Sequence, residues 1–141
     1  MIIVIALILG AALALALAGL ARKYPPGRER RVYAVGLAIA ALIYVGFSVV
    51  GGAGAKWLAL ESLGLLLYGA AAVVGLRGRP RLLAAGWAAH VGWDVLLHLS
   101  GPGSEYTPRW YPWLCLSFDL VMAGAVLGSS GRRAADLRGT S

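Results

Sequence analysis

Cysteine is nearly absent from this chain, and acidic residues are scarce. Cys115 is the single cysteine among 141 residues, so an intrachain disulfide is excluded. All charged residues together make up 13% of the chain, about half the share that is usual in soluble domains. Hydrophobic residues make up 60%, and the mean hydropathy is +0.76. This composition excludes an ordinary soluble domain and indicates a polytopic membrane protein.

Apolar stretches of about 20 residues, the length that crosses a bilayer core of ~30 Å, recur along the chain. Loops rich in proline, glycine and cations separate them. We therefore predict an all-α membrane helix bundle with a single transmembrane domain (1–128) and a polar cytoplasmic tail (129–141). A signal peptide is the alternative for the first stretch, but a basic start is missing there. The five predicted transmembrane helices cover about residues 1–21, 32–50, 55–76, 82–99 and 113–128.

The cations are distributed very unequally between the two sides of such a bundle. The segments 22–31 and 77–81 and the tail hold eleven of the 13 Lys and Arg residues, whereas Lys56 and Arg109 lie on the other side. The positive-inside rule then places the N-terminus outside and the C-terminus in the cytoplasm, in the inner (cytoplasmic) membrane of the cell. Because these cations flank the spans, the net charge of +7 predicts contact with membrane lipids and no binding of nucleic acid.

Three ionisable residues interrupt the fourth apolar stretch. His90, Asp94 and His98 follow one another at intervals of four residues, so an α-helix would place them on one face. A charge at the middle of a bilayer costs at least ~2.5 kcal/mol, and such residues therefore face the interior of a bundle and often mark a functional site.

Glu61 and Asp119 lie at the same predicted depth as Asp94. Each of the three carboxylates is five or six residues inside the outer end of its helix, which corresponds to ~8–9 Å at 1.5 Å per residue. We therefore predict an outward-facing intramembrane pocket formed by Glu61, His90, Asp94, His98 and Asp119.

Three chemistries are compatible with this pocket. Imidazole and carboxylate groups are suitable ligands for a divalent metal such as zinc, although an α-helix would separate His90 from His98 by about 12 Å, so that all five residues cannot bind one ion. Asp94, His90, Glu61 and Asp119 are also candidate catalytic residues for acid–base or metal-assisted chemistry on a membrane-soluble substrate, which leaves open whether the protein is an enzyme. The third possibility is transport of a small cation or proton, although no ionisable residues continue through the inner half of the predicted bundle.

A non-enzymatic structural or partner-binding subunit is the alternative of a different class. Interhelical hydrogen bonds hold many membrane bundles together, and Glu61 would then pair with Lys56 or Arg109. Small residues at intervals of four, at positions 10/14/18, 85/89 and 124/128, predict close helix packing and are compatible with a homodimer.

Two motifs on consecutive spans resemble those of a known group of proteins. His90-Val91-Gly92-Trp93-Asp94, with His98, is followed by Cys115-x-x-x-Asp119. Over roughly residues 83–126 the chain resembles an uncharacterised bacterial family of small multi-pass integral membrane proteins, a domain of unknown function. The resemblance implies a membrane fold and a shared site but no activity. A looser similarity to five-span sterol isomerase-like proteins is an analogy of fold.

Overall fold

Five long helices form the protein. The computed structural model describes the backbone of residues 1–139 and the side chains of residues 1–130. A π-helix, Asp94–Leu99, continues the fourth helix, and a short 3-10 helix, Pro102–Glu105, lies in the connection that follows. No strand occurs between residues 1 and 139. The long helices are α1 (Ile2–Ala21), α2 (Pro26–Val50), α3 (Ala55–Leu76), α4 (Pro80–Trp93) and α5 (Tyr111–Gly139).

Each of the five helical stretches is long and apolar enough to cross a membrane, when α4 and the π-helix are taken together as Pro80–Leu99. The predicted all-α membrane bundle with five spans is therefore confirmed. The outside N-terminus stays a prediction.

The helix ends differ from the predicted ones mainly at α2 and α5. α2 begins at Pro26, six residues before the predicted start, because proline fits the first turn of a helix, where its missing N–H is not needed. α5 runs from Tyr111 to Gly139, so its backbone continues as a helix through most of the segment predicted as a tail. The side chains of that segment beyond residue 130 lie outside the described residues.

The helices pack in the order α1, α5, α4, α3, α2 around the bundle, and α1 touches α2 only weakly. Connections reverse the chain after each of the first four spans. We call the end with the start of α1 and the connections 51–54 and 100–110 the site end. The opposite end, with connections 22–25 and 77–79, is the basic end.

Small residues bring α1 and α5 close together. The buried face of α1 includes Gly10, Ala14 and Ala18, which confirms the packing face predicted from their spacing. A Cβ atom on Gly10 would overlap the carbonyl of Leu114, so only glycine allows this approach. The stripes at 85/89 and 124/128 are exposed instead, so they are not packing faces within one chain.

Candidate functional site

All five predicted site residues are buried within the bundle. Their exposed fractions are between 0% and 2%, although each carries an ionisable group. They do not form one cluster but two neighbouring groups, and these differ in how well their polar atoms are paired. The residues are Glu61 on α3, His90 on α4, Asp94 and His98 on the π-helix, and Asp119 on α5.

The first group, which we call the His90 cluster, consists of His90, Asp94 and Asp119. His90 Nδ1 lies 2.7 Å from Asp119 Oδ2 and 3.6 Å from Asp94 Oδ1. One potential metal-ligand atom from each of the three residues lies within 4.8 Å of the other two. Asp94 comes from the next turn after His90, and the packing of α4 on α5 supplies Asp119. The cluster therefore joins two helices through one histidine and two carboxylates.

Most polar atoms of the His90 cluster lack a partner. Among the side chains that the structure describes, neither oxygen of Asp94 nor Oδ1 of Asp119 has a donor within hydrogen-bond geometry, and His90 Nε2 is also without a hydrogen bond. His90 Nδ1, 3.6 Å away, and the Tyr44 hydroxyl are the donors that lie close to the Asp94 carboxylate. Buried polar atoms are almost always paired in proteins, and buried charges require a counter-charge. The cluster consequently has excess capacity to accept a proton or a cation.

The second group, the Glu61 clasp, consists of Glu61, Trp93, His98, Tyr106 and Thr107. The Tyr106 hydroxyl donates to Glu61 Oε1 over 2.6 Å, and Trp93 Nε1 donates to Oε2 over 3.1 Å. His98 Nε2 lies 3.2 Å from Oε1, and His98 Nδ1 lies 3.1 Å from the Thr107 hydroxyl oxygen. Both carboxylate oxygens of Glu61 thus have donors, and the clasp attaches the connection 100–110 to α3.

The pairing of Glu61 with Lys56 or Arg109, considered from the sequence, is not found in the described part of the chain. Lys56 lies over the ring of Trp57 instead, with its Nζ 4.8 Å from the ring centroid. Burial, together with the hydrogen bond to Glu61, raises the pKa of the Tyr106 phenol above its ordinary value. Tyr106 therefore stays a donor to Glu61 throughout the neutral pH range.

A π-helix sets the position of His98. The fourth span is not one continuous α-helix, as predicted, since its last turn is π-helical and the Ser100 N–H donates to the Val95 carbonyl five residues earlier, over 3.0 Å. A π-turn holds more residues than an α-turn, so His98 leaves the line that an α-helix would give it. Its ring stacks on Tyr44 with centroids 3.8 Å apart and planes at 13°. The Tyr44 centroid is also 5.7 Å from that of His90, so Tyr44 lies between the two groups.

Several residues of the site were not among the predicted ones. Tyr106 and Thr107 belong to a connection, where sequence periodicity gives no signal of contact with a distant helix. Tyr68 packs its ring edge-to-face on His90 at 4.7 Å, but a tyrosine in an apolar helix is not distinctive. Trp93 lies within the motif quoted above, yet its role as a donor to Glu61 depends on a neighbouring helix.

The five residues predicted to line one outward-facing pocket are not brought together by either of the two cavities near the site. A cavity of about 610 Å³ at the site end is lined by His98 but by none of the other four residues. A second cavity, of about 260 Å³ between α1, α2 and α5, reaches Asp119 from the side. The space beside His90, Tyr44 and Glu61 is too narrow to hold a water molecule.

The comparison with protein families gives a match over nearly the whole chain. A model described as "Family of unknown function (DUF6010)" matches residues 1–131. The chain belongs to this family. The predicted resemblance to an uncharacterised family is confirmed, and it extends well beyond residues 83–126, because DUF6010 includes the first two helices as well. No curated protein and no solved structure is detectably similar to the chain.

Proposed function

We propose that this DUF6010 member is a metal-binding membrane protein in which His90, Asp94 and Asp119 hold a divalent ion such as Zn²⁺. The observation that supports the proposal best is the Asp94 carboxylate, which is fully buried and forms no hydrogen bond of ordinary geometry within the described residues. A carboxylate in this position needs a cation or a proton to offset the cost of burial.

The charge balance of the His90 cluster also favours a divalent ion. Two ionised carboxylates and a neutral imidazole carry a net charge of −2, which one divalent ion cancels. Protonation of His90 cancels only one of these two negative charges, so that either Asp94 or Asp119 must also take up a proton. Mixed nitrogen and oxygen ligands are those that zinc and other first-row ions accept.

The three candidate ligand atoms lie within 4.8 Å of one another, so binding of one ion requires local shifts of these side chains. Ligands at 2.0–2.2 Å in a tetrahedral site lie about 3.4 Å apart, so the 2.7 Å separation between His90 Nδ1 and Asp119 Oδ2 must widen by roughly 0.7 Å. The 3.6 Å separation between His90 Nδ1 and Asp94 Oδ1 already suits such a site. Of the five predicted metal ligands, Glu61 and His98 are then excluded from this ion, because they bind each other in the clasp.

Three protein ligands leave one position of a tetrahedral zinc ion open. Such open sites are typical of catalytic zinc, where the ion lowers the pKa of a bound water. The side cavity that reaches Asp119 is lined mostly by apolar residues and supports access by a membrane-soluble substrate. Metal-assisted acid–base chemistry on such a substrate is the activity that this arrangement favours.

The charge distribution supports the membrane placement that goes with this proposal. The connections at the basic end lie next to eight of the cations, and the site end has Lys56 and Arg109. We place the basic end in the cytoplasm, the protein in the inner membrane, and the His90 cluster in the outer half of the bilayer.

Elemental analysis of the detergent-purified protein tests the metal proposal. We expect about one divalent ion per chain in the wild type, either as purified or after addition of Zn²⁺ and desalting. Asp94→Asn should lose the ion, because an amide oxygen neither offsets the charge nor replaces a carboxylate ligand well. Glu61→Gln is the matched control, an acid-to-amide change in the clasp, and should retain the ion.

Two results would overturn the proposal. The first is wild-type protein that binds no ion even after Zn²⁺ is added. The second is an Asp94→Asn variant that keeps the wild-type amount. Helix content by circular dichroism and a monodisperse elution profile distinguish loss of the ion from loss of the fold.

A further inference from the structure

The cavity at the site end is separate from the His90 cluster and has its own chemical character. Its volume is about 610 Å³, and it lies where α1, the connection 100–110 and the start of α5 meet. Arg109, Ser104 and His98 supply its polar groups. Ile2, Ile3 and Trp113 supply apolar walls. A cation therefore faces a largely apolar space.

Arg109 is the available cationic side chain at this end of the bundle, within the described residues. The other cation there, Lys56, is engaged with the ring of Trp57. No carboxylate lies within ion-pair distance of Arg109 among the side chains described through residue 130. Arg109 also lies two residues before α5, whose N-terminus adds a partial positive charge. An anion in the cavity would meet both.

The remaining walls match the boundary between lipid headgroups and hydrocarbon. Ile2 and Ile3 are 62% and 41% exposed, which leaves the start of α1 open to an apolar chain. Trp110 and Trp113 form the other side, and tryptophan prefers this depth of a bilayer. The cavity thus offers a cationic end and an apolar side at the level where an amphiphile changes from head to chain.

We infer that this cavity binds an anionic amphiphile whose phosphate or carboxylate headgroup pairs with Arg109 and whose hydrocarbon chain lies against the start of α1. The headgroup then lies beside His98, at the outer edge of the Glu61 clasp. The inference does not depend on a metal ion at the His90 cluster. It needs only the cavity, the free cation and the apolar walls.

Native mass spectrometry in a neutral detergent tests this inference. The full-length protein is mixed with equal amounts of lysophosphatidic acid and lysophosphatidylcholine that carry the same acyl chain. We expect one bound amphiphile per chain, with a clear preference for the anionic one. Arg109→Gln should reduce the affinity for the anionic amphiphile about tenfold, the loss expected for one charge-assisted hydrogen bond.

Arg81→Gln is the matched control, because Arg81 is an exposed arginine next to the basic end. This variant should bind the anionic amphiphile with the same affinity as the wild type. Arg109 is also exposed, so Arg109→Gln should melt at the wild-type temperature and its loss of binding can be attributed to the cavity.

Four results would overturn the inference. Three of them are equal binding of both amphiphiles, an equal loss of binding in Arg109→Gln and Arg81→Gln, and no loss of binding in Arg109→Gln. Inorganic phosphate distinguishes a lipid headgroup from a free anion. If phosphate displaces the amphiphile at an equal concentration, the hydrocarbon chain adds nothing and the site is an anion site only, which contradicts the assignment to an amphiphile.

Discussion

The hydrogen bond between Tyr106 and Glu61 should contribute measurably to the stability of the bundle. Tyr106 lies in the connection 100–110 and is 8% exposed, and its hydroxyl donates to Glu61 Oε1 over 2.6 Å. A separation this short is characteristic of an O–H donor on a carboxylate. Tyr106→Phe removes this hydroxyl and keeps the ring.

The size of the effect follows from the environment of the two groups. A hydrogen bond to a charged group contributes about 1.5–3 kcal/mol in water-soluble proteins, whereas interhelical bonds within bilayers average about 0.6 kcal/mol and reach about 1.7. Trp93 and His98 remain close to Glu61 after the change, so the carboxylate does not lose every partner. We therefore expect Tyr106→Phe to cost about 1–1.5 kcal/mol of unfolding free energy.

A double-mutant cycle with Glu61→Gln isolates this bond. The unfolding free energy is measured by SDS titration in mixed micelles for the wild type, both single variants and the double variant. We expect a coupling energy of about 1 kcal/mol, and Tyr24→Phe, an exposed tyrosine at the basic end, should change stability little. If Tyr106→Phe costs as much in the Glu61→Gln background as in the wild type, the hydroxyl does not act through Glu61 and the reasoning is wrong.

Two further predictions concern the same clasp. A Cβ atom on Gly64 would lie 2.9 Å from the ring of Trp93, so Gly64→Ala should displace the indole and lower the unfolding free energy by about 1–3 kcal/mol. Gly69→Ala, on the same helix, meets nothing within 4 Å and should be neutral or stabilising. Thermal melting in detergent compares the two variants, and equal melting temperatures would contradict the packing of Gly64 on Trp93. Because the pKa of Tyr106 is raised in the folded protein, its contribution to stability should be complete below the unfolded pKa of about 10 and decrease as the pH rises above it. Unfolding titrations at increasing pH should show this decrease in the wild type and a smaller one in Tyr106→Phe, and identical profiles would refute it.

The number and position of the helices could be predicted from the sequence because a bilayer demands long apolar stretches. Only the ends were misplaced, most clearly at α2, where Pro26 begins a helix that the run of Pro and Gly was expected to interrupt. The burial of Glu61, Asp94 and Asp119 could also be predicted, because the same cost that makes a charge rare in a membrane directs it into the bundle.

Which of the buried groups bind each other could not be predicted. The equal depth of the three carboxylates suggested one pocket, but depth does not specify the rotation of a helix about its axis. The π-helix changes that rotation for His98, and nothing in the sequence from Asp94 to Leu99 reveals it. Tyr106 and Thr107 reach the site only because the connection folds back over the end of the bundle.

The structure places the two histidines of the chain in different surroundings. His90 belongs to a group with more buried acceptors than donors, which is the condition for binding an ion. His98 belongs to the clasp, where both oxygens of Glu61 have donors and the connection that carries Arg109 is attached to α3. Loss of the clasp should therefore disturb the cavity beside Arg109 before it disturbs the His90 cluster, because that cluster is held by the packing of α4 on α5 and not by the connection. Tyr44 joins the two groups, because its ring stacks on His98 and its centroid lies 5.7 Å from that of His90.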